Sequence, residues 1–201
     1  MPTPQNRALG FQLVELVIAL AVAAILAALT VPALLSASSG LRLQLAAAEL
    51  AGVLRAARSF AVLRSANVAV KFHPAPRKIT FSLYRDGDGD GVLNRDIDAG
   101  TDPLVAPPRP LVYLGGGVTF GFPPGPAPRD PGNPAATLDR RDDPIRFNGS
   151  DLASFTPLGE STPGTAYITD GVRSLAAVRV YGRTAKVQIL YYDFLRRRWH
   201  P

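Results

Sequence analysis

The chain has 201 residues but contains no cysteine, only two histidines and one tryptophan. Without cysteine it cannot form disulfide bonds, thiolate zinc sites or a cysteine nucleophile. Two histidines, one of them the penultimate residue His200, leave little material for a histidine-rich metal centre or a catalytic triad. The sequence also lacks the G-x-x-x-x-G-K-[ST] run of P-loop ATPases. These absences lead us to expect a protein that is not an enzyme.

Apolar residues are concentrated near the N-terminus. Residues 11–35 contain only Gln12, Glu15 and Thr30 as polar side chains, and no Lys, Arg or Asp. A helix of about 20 such residues crosses the roughly 30 Å hydrocarbon core of a bilayer. The run is too long for the apolar region of an ordinary secretory signal peptide. We therefore predict a transmembrane helix over residues 11–35, preceded by a polar leader of residues 1–10.

The front edge of this helix carries a specific motif. Gly10-Phe11-x-x-x-Glu15, followed by an unbroken apolar helix, resembles the type IV prepilin signal. The resemblance implies that a prepilin peptidase cuts between Gly10 and Phe11, and that Phe11 is then N-methylated. Pro32 falls where type IV pilins commonly have a proline, and it should kink the helix because it removes a backbone donor.

The chemistry of the motif is consistent with cleavage. Cutting after Gly10 frees a basic α-amino group on Phe11, and methylation keeps that amine positive. Glu15 lies one helical turn further on, and a carboxylate in a membrane helix is costly unless it is paired. We predict that Glu15 pairs with the amine of a neighbouring subunit and sets the axial register. The alternative is an interfacial Glu15 without a partner.

Residues 36–66 predict an amphipathic continuation of the same helix. Apolar residues recur there at spacings of three and four, which is typical of a helix with one buried face. The stripe consists of Leu43, Ala47, Leu50, Leu54, Ala57 and Ala61. We therefore expect one helix from about residue 12 to 66, roughly 80 Å long, whose second half packs on a soluble domain.

The rest of the chain, residues 67–201, has the alternation and turn residues of β-strands. The predicted strands cover residues 67–73, 78–84, 111–114, 118–122, 145–147, 165–169, 177–181 and 185–192. Gly182-Arg183-Thr184 predicts a hairpin between the last two. Short strands after one helix indicate the α+β class, with a long N-terminal helix packed on an antiparallel sheet.

This layout is similar to that of the GspH/FimT pseudopilins and minor pilins. Thr162-Pro163-Gly164-Thr165 before a strand and Gly182-Arg183 in the last hairpin resemble that group. The resemblance implies a pilin-like periplasmic domain on a single-pass protein of the bacterial inner membrane. It also implies a prepilin peptidase, other pseudopilins or pilins, an inner-membrane assembly platform and membrane lipid as partners.

Four functions are compatible with these expectations. The first is a pseudopilin of a type II secretion system, which assembles through its N-terminal helix into a short pseudopilus for protein export. The second is a minor pilin of a type IV pilus, with a role in DNA uptake as a variant. The third is a competence subunit that contacts DNA. The fourth is a membrane-tethered binding domain that does not assemble.

An acidic loop after the second predicted strand resembles part of a calcium loop. Carboxylates at every second position, followed by Gly91, match the first half of the calcium-binding pattern. The twelfth position is Ile97 instead of the usual bidentate glutamate. The candidate ligands are Asp86, Asp88, Asp90, Val92, Asp96 and Asp98. The alternative is a solvated Asp-Gly turn without a cation.

Two further segments are polar or basic. Residues 123–144 hold seven prolines and no apolar periodicity, and we predict an exposed, mobile surface loop. The C-terminus is basic and carries the tryptophan, a combination that binds phosphates and stacks bases in nucleic-acid-binding proteins. The candidate DNA contacts are Arg183, Lys186, Arg196, Arg197, Arg198 and Trp199. The alternative is a solvated basic tail, and Thr184-Ala185-Lys186 departs from the G-R-x-R pattern of the family's DNA-linked members.

Overall fold

The structure, a computed structural model, describes residues 13–75, 79–112 and 117–201. It has the predicted α+β composition, with an apolar N-terminal helix and antiparallel sheets. The helices are α1 (Leu13–Arg64) and α2 (Asn94–Ala99). The strands are β1 (Val68–His73), β2 (Thr80–Arg85), β3 (Leu104–Arg109), β4 (Thr119–Phe120), β5 (Ile145–Arg146), β6 (Leu152–Phe155), β7 (Gly164–Thr169), β8 (Leu175–Val180), β9 (Val187–Asp193) and β10 (Arg198–His200). The chain divides into two compact units, one ending at Ser38 and the other covering Ser39–Pro201.

The first part of α1, Leu13–Thr30, is apolar on every side. None of its 18 residues is buried. The hydroxyl of Thr30 donates to the carbonyl oxygen of Leu26 at 2.9 Å, so this polar group is satisfied within the helix. By length and composition this segment can cross a membrane.

The second part of α1 belongs to the Ser39–Pro201 unit and packs through the predicted stripe. All six stripe positions are at most 3% exposed. Glu49 lies outside the stripe and reaches the end of β3 and the residues that follow it. Its carboxylate accepts the backbone N–H of Val112 at 2.7 Å and pairs with Arg109 at 3.2 Å. Burial of the stripe fixes this part of the helix on the β-domain.

A specific cap ends α1 after Arg64. Ser65 has a left-handed backbone with φ of 49°. The backbone N–H of Ser65 donates to Val62, and that of Ala66 donates to Ala61, both at 3.3 Å. These two bonds form a Schellman motif, which satisfies carbonyls that the helix leaves free. The chain then turns directly into β1.

The strands form two antiparallel sheets. The smaller sheet has the order β3-β2-β1-β6, and the larger has the order β10-β9-β8-β7-β4, with β5 also pairing with β7. The predicted closing hairpin is present as β8 and β9, whose pairing runs from Val180 opposite Val187 to Ala176 opposite Tyr191. The main core forms where the stripe of α1 meets apolar side chains from both sheets.

The other face of the larger sheet has a second apolar cluster. Tyr167, Leu190 and Tyr192 of the strands pack there with Leu138 from the proline-rich segment. Leu138 is 2% exposed, and the segment pairs with itself through a bridge between Arg129 and Thr137. The prediction of an exposed loop over residues 123–144 is therefore wrong for Pro123, Pro128 and Leu138, which are buried, whereas residues 132–135 are exposed as predicted. The segment lacks periodicity because it covers the sheet with isolated contacts instead of a regular face.

Several elements differ from the predicted set. Leu111 and Val112 lie outside any strand, and the rest of predicted strand 111–114 is outside the described residues. The sequence did not indicate β3, which contains Pro107 and Pro108, because prolines disfavour strands; β3 tolerates them as an edge strand of its sheet. It also missed α2, β6 and β10, which are six residues or fewer in length.

Candidate functional site

The predicted processing site lies at the N-terminal boundary of the structure. Gly10 and Phe11 are outside the described residues, so the predicted cleavage and methylation remain predictions. Glu15 lies in the first turn of α1 and is exposed. Within the part of the chain that is described, its carboxylate forms no ion pair. The helix assignment continues through Pro32, and the kink expected there remains a prediction.

The acidic loop begins with a carboxylate that the loop itself encloses. Asp86 is 6% exposed. Its Oδ1 accepts the backbone N–H groups of Gly89 at 2.7 Å and Asp88 at 3.2 Å. Its Oδ2 accepts the amide of Asn67 at 2.7 Å and the backbone N–H of Gly91 at 3.0 Å. Burial alone would raise the pKa of Asp86, but these hydrogen bonds lower it below its ordinary value.

A second buried carboxylate, Asp102, closes the loop from its far end. Asp102 is 2% exposed. Its Oδ1 accepts the backbone N–H of Gly87, and its Oδ2 accepts that of Leu93, each at 3.0 Å. Any side chain at Gly87 would collide with the carbonyl oxygen of Thr101, so only glycine permits this closure. Asp102 lies beyond the twelve-residue pattern, which is why the sequence did not single it out as a ligand.

The loop brings its carboxylates together in two groups. Ligand oxygens of Asp86, Asp88 and Asp102 lie within 4.8 Å of one another, and so do those of Asp88, Asp90 and Asp96. Burial and the neighbouring charge of Asp88 raise the pKa of Asp90. Oxygen donors of this kind suit a hard cation such as calcium.

Arg95 would compete with a cation for these carboxylates, and Asp98 lies outside both groups. The guanidinium of Arg95 pairs with Asp90 at 2.6 Å and with Asp96 at 3.2 Å. Asp98 is exposed and belongs to neither group. The side chain of Val92 is buried, 4% exposed. The arrangement fits a hydrogen-bonded loop with surplus carboxylate oxygens, and calcium binding remains a prediction.

The basic C-terminal residues form a tight turn and an edge strand. Oδ1 of Asp193 accepts the backbone N–H groups of Leu195 at 2.9 Å and Arg196 at 3.0 Å. These bonds, with the nearby arginine charges, hold the pKa of Asp193 below its ordinary value. Arg198 then pairs with Asp193 in the β10–β9 ladder. Residues 198–200 thus form an edge strand in which Trp199 is half-buried, while the arginine side chains and His200 are exposed, as the interpretation of a solvated basic segment predicts.

Trp199 packs against the domain. Its indole N–H donates to the carbonyl oxygen of Arg129 at 2.6 Å. Its ring centroid lies 4.9 Å from that of Tyr192 and 6.1 Å from that of Tyr167. The tryptophan thus joins the C-terminus to the proline-rich segment, and the exposed arginines remain the stronger candidates for contact with DNA.

The structure separates the two basic groups that the sequence combined. Arg183 and Lys186 lie in the turn before β9, whereas Arg196 and Arg197 lie in the turn after it. Because β9 has seven residues, the two turns are about 20 Å apart along the strand. The two basic pairs therefore do not form one patch, and a DNA duplex would have to lie along β9 to contact both.

Comparisons with protein-family models, with curated proteins and with solved structures find no match. The class of protein favoured for this chain therefore depends on its N-terminal motif, its apolar helix and the geometry of its β-domain.

Proposed function

We propose that this chain is a processed pseudopilin subunit of a type II secretion system. It assembles through its N-terminal helix into a short pseudopilus that serves protein export. Its role is structural, and catalysis of cleavage and of assembly belongs to other chains.

One observation carries this proposal. The Gly10-Phe11-x-x-x-Glu15 motif ends within the first turn of Leu13–Thr30, a segment in which no residue is buried in the structure. An apolar helix without a covering partner requires lipid or the helices of other subunits. A prepilin-like protein would use both environments in turn, first as a membrane anchor and then as the centre of a filament.

The proposed location follows from the same features. The chain spans the bacterial inner membrane once, and its β-domain lies in the periplasm in a pilin-like fold. Its partners are a prepilin peptidase, other pseudopilins or pilins and an inner-membrane assembly platform. Glu15 pairs with the N-terminal amine of a neighbour, because a carboxylate among apolar helices is stable only when its charge is compensated.

A second candidate is a minor pilin of a type IV pilus with a role in DNA uptake. The exposed side chains of Arg196, Arg197 and Arg198 favour it, because clustered arginines neutralise DNA phosphates. Arg196 also pairs with Asp193 at 3.4 Å, which reduces the charge available to DNA.

Mass analysis tests whether the chain is a prepilin at all. The full chain is co-expressed with a prepilin peptidase, and its intact mass is compared with that of Gly10→Val. We expect loss of residues 1–10 and gain of one methyl group in the parent, and an uncut variant. A parent that retains residues 1–10 would favour the membrane-tethered binding domain.

The proteome of the culture supernatant tests which machine the subunit serves. An in-frame deletion is compared with the wild type and with a complemented strain. Loss of a set of folded exoproteins, with surface pili intact, supports the secretion role. An unchanged supernatant contradicts it and makes the pilus the leading candidate.

A further inference from the structure

A polar cavity lies on the larger sheet, on the face opposite the stripe of α1. Its volume is about 300 Å³, and its walls include Arg146, Thr165 and Arg179 from the sheet, Tyr181 just after β8, and Asp130 from the proline-rich segment. The cavity is distinct from the acidic loop and from the turn that carries the C-terminal arginines. Neither the proposed filament function nor the calcium prediction uses it.

The strand register places the polar side chains of this cavity in one row. Arg146 of β5 is opposite Thr165 of β7, Thr165 is opposite Arg179 of β8, and Arg179 is opposite Gln188 of β9. Directly opposed residues project on the same face of an antiparallel sheet. Two arginines therefore flank a threonine hydroxyl, with their backbones about 10 Å apart.

Arg146 is held in position before any ligand arrives. Its Nε donates to the carbonyl oxygen of Asp143 at 3.1 Å, and its Nη2 donates to that of Arg140. Its guanidinium carbon lies 5.5 Å from the ring centroid of Tyr167 and 5.6 Å from that of Phe122. These contacts leave further N–H donors on a guanidinium whose position is fixed, which lowers the entropy cost of binding.

The guanidinium of Arg179 makes fewer contacts with the protein than that of Arg146. Its guanidinium carbon lies 4.9 Å from the ring centroid of Tyr181. Among the described residues, no hydrogen bond or ion pair satisfies its N–H groups. A planar fork of free donors on a half-buried arginine matches the two oxygens of a carboxylate.

The charge and the free oxygen of Asp130 restrict which anions the cavity can bind. Oδ1 of Asp130 accepts the backbone N–H of Gly132 at 2.6 Å, and its Oδ2 accepts no hydrogen bond within the described ranges. The two arginines and one aspartate give the cavity a formal charge of +1, which suits a monoanion better than a phosphate dianion. The free oxygen of Asp130 accepts an N–H group. A carboxylate with an amide N–H a few ångströms away satisfies both.

We propose that this cavity binds a carboxylate-bearing peptide group of a partner protein, with Arg179 and Arg146 on the carboxylate and Asp130 on the adjacent amide N–H. The group is either a free C-terminus or the side chain of an aspartate or glutamate. The volume of the cavity fits one such residue. The site lies entirely within the β-domain, separate from the apolar segment Leu13–Thr30 on which the proposed filament function rests.

Ligand-observed NMR on the full chain in detergent micelles tests the site with four probes. Acetylglycine presents a C-terminal carboxylate, and acetyl-aspartate methylamide presents a side-chain carboxylate. Acetyl-asparagine methylamide lacks the charge, and inorganic phosphate supplies an anion without an amide. We expect millimolar binding of one or both carboxylates, at least about tenfold tighter than either control. Binding of only one of the two carboxylates identifies the source, and binding of both shows that the cavity accepts either group.

Substitutions assign the binding to the cavity. Arg179→Gln should weaken binding of the carboxylate probe at least about tenfold. Arg173→Gln removes the same charge from an exposed turn and should leave that affinity unchanged. Arg179→Lys keeps the charge and the packing stem, so it tests the fork even if the glutamine variant does not fold. Equal affinity for acetyl-asparagine methylamide, phosphate bound more tightly than carboxylate, or full affinity in a folded Arg179 variant would each overturn the proposal.

Discussion

The two parts of helix α1 are both rich in apolar residues, yet they have opposite environments. In Leu13–Thr30 the large side chains are exposed, as Leu20 at 62% and Ile25 at 61% illustrate. Between Leu43 and Ala61 one face is almost completely buried, with Leu50 and Leu54 at 0%. Apolar content alone therefore does not decide where a helix belongs.

The distribution of residues around the helix explains the difference. Leu13–Thr30 has leucine, valine and isoleucine on all faces, so a single sheet could cover only part of it. The second part places several alanines on its buried face and keeps Glu49, Arg55 and Arg58 off it. Small side chains allow the sheets to approach closely, and the charged face remains in water. Leu13–Thr30 thus needs an apolar environment on every side, whereas the second part of α1 needs a packing partner on one face only.

The sharpest test of this contrast is the same substitution in both parts. Leu50→Ala removes a fully buried side chain and should lower the free energy of unfolding of the β-domain by about 2–5 kcal/mol. Leu20→Ala removes an exposed one and should leave it unchanged. Unfolding by urea in detergent, followed by the fluorescence of Trp199, the single tryptophan, measures both. Equal losses in the two variants would contradict the contrast.

A smaller effect is expected from the acidic loop, where the domain depends on satisfied polar groups instead of apolar burial. Asp102→Asn weakens two hydrogen bonds from backbone N–H groups and should cost about 1–3 kcal/mol of unfolding free energy. Asp98→Asn makes the same change at an exposed position and serves as the control. If the two variants have the same stability, Asp102 does not hold the loop closed.

Calcium distinguishes a metal site from a hydrogen-bonded turn in the same loop. If the predicted ligands bind calcium with a dissociation constant of about 0.1 mM, 1 mM calcium should stabilise the domain by about 1.4 kcal/mol. The gain should disappear in Asp88→Asn, which alters a residue common to both carboxylate groups. If calorimetry detects no heat of calcium binding and the unfolding midpoint is unchanged, the loop is a hydrogen-bonded turn without a metal site.

Acid should weaken the β-domain while Leu13–Thr30 remains helical in detergent. The pKa of Asp86 and that of Asp170 are lowered because hydrogen bonds outweigh burial. Burial and the charge of Lys71 lower the pKa of His73. Each lowered pKa means that the unfolded chain binds protons first, so stability is lost below about pH 6.5 for the histidine and below about pH 4 for the aspartates.

Circular dichroism and Trp199 fluorescence against pH separate these two responses. The raised pKa values of Asp90 and Asp151 act in the opposite direction and reduce the loss. Asp86→Asn should be less stable at pH 7 and show a shallower decline below pH 4. A domain that is equally stable at pH 3 and pH 7 would contradict this assignment of the shifts.

Regular patterns made much of this fold predictable. The stripe from Leu43 to Ala61 follows the helical period, and β1, β2 and β7 alternate or form apolar runs, so each appears within two residues of its predicted bounds. The sequence did not reveal that residues 123–144 cover a sheet, because Leu138 is a single apolar residue in a polar, proline-rich context. Its burial depends on tertiary contacts.

The candidate sites were predictable only where their residues are close in sequence. The run Asp86, Asp88 and Asp90 is visible as a motif, whereas Asp102 reaches the same loop through β-sheet geometry. Arg146, Thr165 and Arg179 come from three strands and are brought together only by register. Likewise, the basic residues around β9 look contiguous in sequence, but the strand places them at opposite ends.

The smallest expected effect on domain stability is also the most informative about the exposed part of α1. Glu15→Gln removes a charge from a helix turn with no ion pair among the described residues, so the unfolding free energy of the β-domain should change by less than about 0.5 kcal/mol. Incorporation into filaments should nevertheless be lost, because a neutral amide cannot compensate the N-terminal amine of the next subunit. Shearing and fractionation of cells that express the variant with its peptidase measure this loss. The control is the double variant Gln12→Glu/Glu15→Gln, which has a carboxylate at the wrong depth and should not assemble either. Wild-type incorporation of Glu15→Gln would show that the register is set by packing of the apolar faces alone.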